Sequence, residues 1–376
     1  MVKLRRRWFV LGAAIAVAAV AAPSLWTHAR AAGLLTRFAY DRRTGVGAIG
    51  AYDVDEAPAS FVVDGAEVPA RVFRPRGVEH PPGMVLVHGV HHLGVEEPRL
   101  QKFARTLASS GIAVFTPHVA ELADYRVDAH SVTTIGAAVD AFSAQLGGQK
   151  VGLMGLSFAG GLSLVAASDA RFIPHLSFVV AVGAHDDLER VSRFFALDEI
   201  VYPDGTKKHF AAHEYGLLVL ARRHVDDLFD AADRDGAREA MRLWLWEDRD
   251  GARKKAAELS EAGRERLALF FEHKLESLRP ALLKCIEGDR PTMAAVSPSA
   301  HLATLGVPAL LLHGAGDNVI PASETLWLAK HVPAGKLEAA LVSPALQHVE
   351  LEGEPGLGDQ LALVHFIARL LNDAAM

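Results

Sequence analysis

Cysteine is almost missing from this 376-residue chain, in which Cys285 stands alone. One thiol closes no intramolecular disulfide, leaves no CxxC redox pair and builds no cysteine-rich zinc site, so cysteine usage says nothing about compartment. A large excess of either charge is missing too, with 39 basic against 45 acidic residues. A net charge of -6 and a pI near 6.3 argue against a nucleic-acid partner. No HExxH pair occurs among the 18 histidines. Apart from an alanine-rich amino terminus, there is no internal repeat or low-complexity block. Apolar residues are plentiful: they make up 50% of the chain, enough for one large α/β domain carrying an insertion.

Charge is absent altogether between Trp8 and Trp26, directly after Lys3, Arg5, Arg6 and Arg7. The 19 residues of that stretch would span about 28 Å as a helix, close to the roughly 30 Å hydrocarbon core of a bilayer. The basic cluster predicts a cytoplasmic amino terminus, with the rest of the chain exported and tethered. Ala29-Arg30-Ala31 resembles a signal-peptidase site, and Arg6-Arg7-Trp8-Phe9-Val10 loosely resembles a twin-arginine signal, so secretion after cleavage is the alternative. Residues 1–31 are therefore expected to lie outside the fold, and residues 32–59, without clear periodicity, to form a linker.

From residue 60 the pattern becomes regular. Phe61–Val63 and Val68–Arg74, separated by Asp64-Gly65, predict a hairpin at a sheet edge. Met84–His88, Ile112–Phe115, Val151–Met154 and Leu176–Gly183 read as buried strands. Helical stretches alternate with them, among them Asp128–Leu146 with Ile135, Val139 and Phe142 on one face. Such alternation implies a mostly parallel sheet flanked by helices. The pattern breaks over 186–296, where no strand is evident and two stripes have helical period. Phe210, Leu217, Leu218, Ala221, Val225, Leu228 and Phe229 mark the first; Leu267, Phe270, Phe271, Leu275 and Leu278 mark the second. The α/β pattern resumes at Ser297 and runs through Leu310–His313 and Leu337–Val342 to a final helix around Asp359–Leu371.

The most informative stretch is Lys150 to Gly161, Lys-Val-Gly-Leu-Met-Gly-Leu-Ser-Phe-Ala-Gly-Gly. A serine at a sharp strand-to-helix turn needs small neighbours, and Gly155, Ala159 and Gly160 supply them. Such a turn lifts the Ser157 hydroxyl above the sheet edge, beside a helix amino terminus suited to anions. Further along, Pro308-Ala-Leu-Leu-Leu-His-Gly-Ala-Gly-Asp317 ends a strand in a glycine-rich turn carrying an acid. Ser343-Pro-Ala-Leu-Gln-His348 then puts a histidine after the last strand. Serine, aspartate and histidine in that order, each after a strand, resemble the α/β-hydrolase superfamily over residues 60–373. One departure is the Gly-x-Ser-x-Ala elbow, with alanine where glycine is commoner.

The resemblance implies an α/β-hydrolase core over 60–185 and 297–376, with an all-helical cap, 186–296, inserted between the sixth and seventh strands to govern specificity. Ser157 would be the nucleophile, His348 its general base and Asp317 the orienting acid. The amides of Val90 and Phe158 would form the oxyanion hole. Asp186 and Asp187, after the sixth strand, compete with Asp317, but read better as carboxylates at the start of the cap. His331 and His365 read as structural. His88, His91 and His92 lack a supporting carboxylate–cysteine set, so no metal and no cofactor is expected. Trp244 and Trp246 line an apolar pocket or simply pack.

The implied activity is a serine hydrolase acting on a small-molecule or lipid-like acyl ester through an acyl-enzyme. An acyltransferase on the same triad is the first alternative, and a non-catalytic, membrane-tethered binding protein the second. Serine at the elbow argues against epoxide hydrolases and haloalkane dehalogenases, which carry aspartate there, and against dienelactone hydrolases, which carry cysteine. Nothing in the sequence sets the oligomeric state.

Overall fold

The structure, a computed structural model, describes residues 23–347, 350–351 and 356–375. The hairpin is present and longer than its apolar pattern: β1 (Val54–Val63) pairs antiparallel with β2 (Ala66–Pro75). Its turn residues Asp64 and Gly65 both have positive φ, 50° and 82°, the type I′ geometry whose twist matches the strands. Next come β3 (Gly83–Val87), β4 (Ala113–Pro117), β5 (Val151–Leu156) and β6 (Leu176–Val182). After β6 a long insertion begins, and it contains a separate hairpin, β7 (Glu199–Val201) with β8 (Lys207–His209). The main sheet is completed by β9 (Ala309–Gly314) and β10 (Leu337–Ser343). Its spatial order is β1-β2-β4-β3-β5-β6-β9-β10, parallel from β4 onward.

Side-chain alternation along the central strands divides the interior into two layers. Leu153, Val179 and Leu311 face the helices Ala129–Gln145 and Phe158–Ala167. Met154, Val180 and Leu310 face Pro98–Ala108 and Leu357–Ala375. With both faces covered, the middle strands are continuously apolar. The helix Pro98–Ala108 starts where it does because Pro98 needs no amide partner and the Glu97 carboxylate accepts from the amide of Leu100 at 2.7 Å.

Two expectations are corrected at the amino-terminal side. Residues 32–59 are no linker: residues 23–40 form a helix, and β1 begins at Val54. Residues 23–31 likewise belong to the fold, since Ala31 is buried with Leu34 in the second layer. The helix escaped the periodicity reading because Arg37 sits among its buried positions. That guanidinium donates to Ser109 Oγ (2.9 Å), Ser110 Oγ (2.7 Å) and the carbonyls of Gly47 (2.8 Å) and Ile49 (3.1 Å). A buried charge with this many acceptors is a structural bolt. The basic cluster and most of the charge-free stretch lie outside the described residues. Among the described residues no helix is long and apolar enough to cross a membrane.

The insertion follows the predicted stripes: Leu217, Leu218, Val225, Leu228, Phe229, Leu267, Phe270, Leu275 and Leu278 are all buried. It is not all-helical, because β7 and β8 interrupt it near its start; Val201 and Lys207 flank a turn whose Gly205 has φ 84°. Its buried residues form one continuous cluster with the layer under β3, β5 and β6. The insertion therefore has no hydrophobic core of its own.

Candidate active site

Ser157 stands one residue past the end of β5, where φ is 56° and ψ is -131°, a conformation that costs a non-glycine residue on the order of 1–3 kcal/mol. Its neighbours make this tolerable. A Cβ on Gly155 would lie 2.2 Å from the carbonyl oxygen of Ala159, so only glycine lets the strand and helix approach this closely. The Ser157 amide donates to the Val182 carbonyl at 2.7 Å, tying the elbow to β6. Ala159 is fully buried in the core, with no room demanded beyond its methyl. Phe158 opens the following helix, so its amide has no acceptor within the helix.

The loop after β3 runs alongside. A Cβ on Gly89 would lie 3.4 Å from Ser157 Cβ, and Val90, next along, lines the same cleft as Ser157. His88 fixes this loop. Its Nε2 accepts from the Val119 amide (3.0 Å), which leaves Nδ1 to donate to the Gly89 carbonyl (2.7 Å). Both partners demand the neutral ring, and burial lowers its pKa to about 4. His88 is thus a structural pin with its tautomer dictated by the backbone. His91 and His92 stack on each other with centroids 4.6 Å apart, and burial lowers both pKa values.

Asp317 ends a turn after β9 and is buried. Its Oδ1 accepts from the amides of Val319 (2.9 Å) and Ile320 (3.0 Å), which orients the carboxylate. Val319 lines the Ser157 cleft, so this turn and the elbow meet at the same edge of the sheet. His348 lies outside the described residues. The competing acids have other duties. Asp187 caps the helix Leu188–Leu197 by accepting from the Arg190 amide at 2.9 Å, as a carboxylate at the start of the cap should. Asp186 does not cap; it is buried in a network with Arg190 (2.8 Å) and His331 Nδ1 (3.0 Å), which also gives His331 its structural role. His365 lies 3.0 Å from His28 of the first helix.

The cleft over Ser157 has a volume of about 610 Å³, and its outer wall comes from the insertion. Trp244 and Trp246 both line it, and both also pack. Trp244 stacks on Phe271 with centroids 3.9 Å apart, carries the Arg249 guanidinium on its ring at 4.1 Å and donates Nε1 to Glu214 (3.1 Å). Trp246 lies 5.0 Å from His92, which bridges it to the loop after β3.

The sequence reading missed Tyr215 and Tyr125. The Tyr215 hydroxyl, on the insertion, donates to the Val90 carbonyl, and burial pushes its pKa well above that of an ordinary phenol. Two residues earlier, the His213 amide donates to the Asn318 carbonyl at 2.8 Å, beside Asp317. Tyr125, from the loop after β4, donates to the Leu245 carbonyl of the insertion (3.1 Å), and His92 Nδ1 lies 3.3 Å from its oxygen. The first turn of the helix Glu214–Arg223 thus touches both the loop beside Ser157 and the turn that carries Asp317. No one-dimensional signal marks these contacts: tyrosine at helical spacing is indistinguishable from packing until the helix is docked.

Metal-ligating side chains gather at one place among the described residues, His224, Asp227 and Cys285, whose ligand atoms lie within 4.8 Å of one another. None of the three lines the Ser157 cleft.

No protein-family model and no curated protein matches this chain. Solved structures do. Puromycin hydrolase aligns with a TM-score of 0.50 and 15% identity over 86% of this chain and 39% of its own. Est1E from Butyrivibrio proteoclasticus aligns with 0.48 and 14% over 85% and 99%. Pyrococcus horikoshii acylaminoacyl peptidase aligns with 0.47 and 12% over 84% and 40%. This chain spans about two fifths of the puromycin hydrolase and acylaminoacyl peptidase chains. At 15% identity the likeness to puromycin hydrolase is one of fold, and together with the strand order it assigns the α/β-hydrolase fold.

Proposed function

We propose that this protein is a serine hydrolase that cleaves a carboxylic ester through an acyl-enzyme on Ser157. The observation that carries the proposal is the elbow itself. A strained, nearly buried serine faces a cleft, with a helix amino terminus on one side and the Gly89–Val90 loop on the other. In the proposed reaction Ser157 Oγ bonds the ester carbonyl carbon while its proton passes to His348. The amides of Val90 and Phe158 stabilise the resulting oxyanion, and each such donor is worth about 10² to 10³ in rate. The carbon–oxygen bond to the alcohol breaks, and His348 protonates the leaving oxygen. Water, deprotonated by His348, then releases the acid and restores Ser157. Asp317, oriented by the Val319 and Ile320 amides, holds the imidazole tautomer.

The test is Ser157→Ala assayed on p-nitrophenyl acetate and butyrate. Turnover should fall by on the order of 10⁴ to 10⁶ with the fold intact by circular dichroism. Undiminished ester cleavage by a folded variant would refute the proposal. Acyl transfer to added alcohols in preference to water would move the activity to an acyltransferase on the same residues. The proposal places the domain outside the cytoplasm, held by residues before Pro23. This rests on the basic cluster and charge-free stretch alone. Carbonate-resistant membrane fractionation of the full chain tests it, and a full-length chain in the soluble cytoplasm would refute it.

A further inference from the structure

A second cavity, of about 220 Å³, lies on the far side of Leu156 from the first. Its floor is a row of three side chains in register at the ends of adjacent strands: Leu156 opposite Val182, and Val182 opposite Leu312. Its roof includes Leu35 and Phe38 of the helix at residues 23–40 and Phe103, whose ring lies 5.0 Å from that of Phe38. Twelve of its fourteen lining residues are apolar; Arg99 and Lys102 are the exceptions. Interiors are normally packed to the density of organic crystals, so a mostly apolar space left unfilled at the strand ends is a ready host for hydrocarbon.

Position gives the cavity a meaning. Leu156 and Arg99 line both this cavity and the cleft over Ser157, and Leu156 immediately precedes the nucleophile. A carbon chain attached to a carbonyl at Ser157 Oγ would have to pass along Leu156 to enter. We propose that this cavity is the acyl-chain subsite, and that the preferred substrates are esters of medium-chain, unbranched fatty acids. The inference rests on the serine-hydrolase reading. A space of about 220 Å³ is of the order of a medium-length acyl chain, so the chain-length optimum falls at medium chains, in the region of octanoate, and not at acetate. The helix at residues 23–40, expected from sequence to be part anchor or signal segment and part linker, becomes part of the substrate site.

The experiment is a series of p-nitrophenyl esters from acetate to dodecanoate, compared across wild type, Leu35→Trp and Phe38→Ala. In the wild type kcat/KM should rise by up to about fourfold per methylene towards octanoate and then level off. Leu35→Trp, which fills the cavity, should lower kcat/KM for octanoate by at least about tenfold and leave acetate within about twofold. Phe38→Ala, which enlarges it, should shift the optimum to longer chains. Acetate turnover reports the fold and the chemistry in each variant, and the two variants are independent, so a failure of one to fold leaves the other decisive. Equal changes for acetate and octanoate, or an octanoate preference indifferent to both substitutions, would overturn the subsite while leaving the hydrolase reading intact. No cleavage of any ester by the wild type would instead sink the hydrolase reading.

Discussion

The two walls of the Ser157 cleft are built on different principles. On the core side each position is set by its own few neighbours. Ser157 is strained by a turn that Gly155 permits, Asp317 is aimed by two amides within three residues of it, and the loop after β3 is pinned by His88. On the insertion side nothing is local. Tyr215 reaches Val90, His213 reaches Asn318 and Leu245 receives Tyr125, each across about 100 residues of sequence or more. The insertion also lacks its own core and shares the buried cluster under the sheet. The contrast teaches that the insertion is a structural partner of the loop after β3 and of the turn that carries Asp317.

The sharpest break between the walls is Asp317→Asn, which should preserve the fold and cut kcat by roughly 10³ to 10⁴, because the wrong imidazole tautomer would be held. Asp186→Asn should leave kcat within about tenfold and act on thermal stability, since its partners are Arg190 and His331. A crippled Asp186→Asn with a mild Asp317→Asn would reassign the acid to the end of β6.

Next in size is an effect of pH on the core-side pin. The His88 pKa is lowered by burial to about 4 in the folded protein, against 6.5 for the free side chain. Between these values the unfolded chain binds the proton that the folded one refuses. Its contribution is therefore complete above pH 6.5 and is lost as pH falls towards 4, about 3 kcal/mol in all. Urea unfolding from pH 7.5 to 4 should show that loss, and His88→Gln should remove this part of the slope. A pH slope identical in the two proteins would assign it to other groups.

Smaller still is the effect of the insertion on the chemistry. Tyr215→Phe removes only the bond to the Val90 carbonyl, worth about 1 to 1.5 kcal/mol, so kcat should fall roughly tenfold with KM little changed. A raised KM at constant kcat would return the cap to a purely selective role. For the same reason, replacing the insertion with a short linker should lower the reactivity of Ser157 as well as alter its selectivity.

The same contrast sets what was legible in the sequence. The strands carry period or continuous apolar runs, and the elbow, the Asp64-Gly65 turn and the Asp317 turn carry short chemical signatures; each was readable because its cause lies within a few residues. The helix at residues 23–40 was not, since Arg37 occupies a buried position and its acceptors lie at Gly47, Ile49, Ser109 and Ser110. The tyrosine contacts were illegible for a related reason: they depend on how the inserted helices dock. The hairpin of β7 and β8 has three-residue strands with an exposed partner strand, too short to show a period.

The most direct measurement is covalent. The wild-type protein should be treated with an alkyl fluorophosphonate, weighed intact and digested with trypsin. The peptide after Lys150 runs to Arg171 and contains Ser157, Ser163 and Ser168. The account predicts one adduct per chain, on Ser157, with ester hydrolysis lost in proportion to labelling. An adduct on any other residue that abolishes activity, or full activity in a protein labelled completely at Ser157, would contradict it.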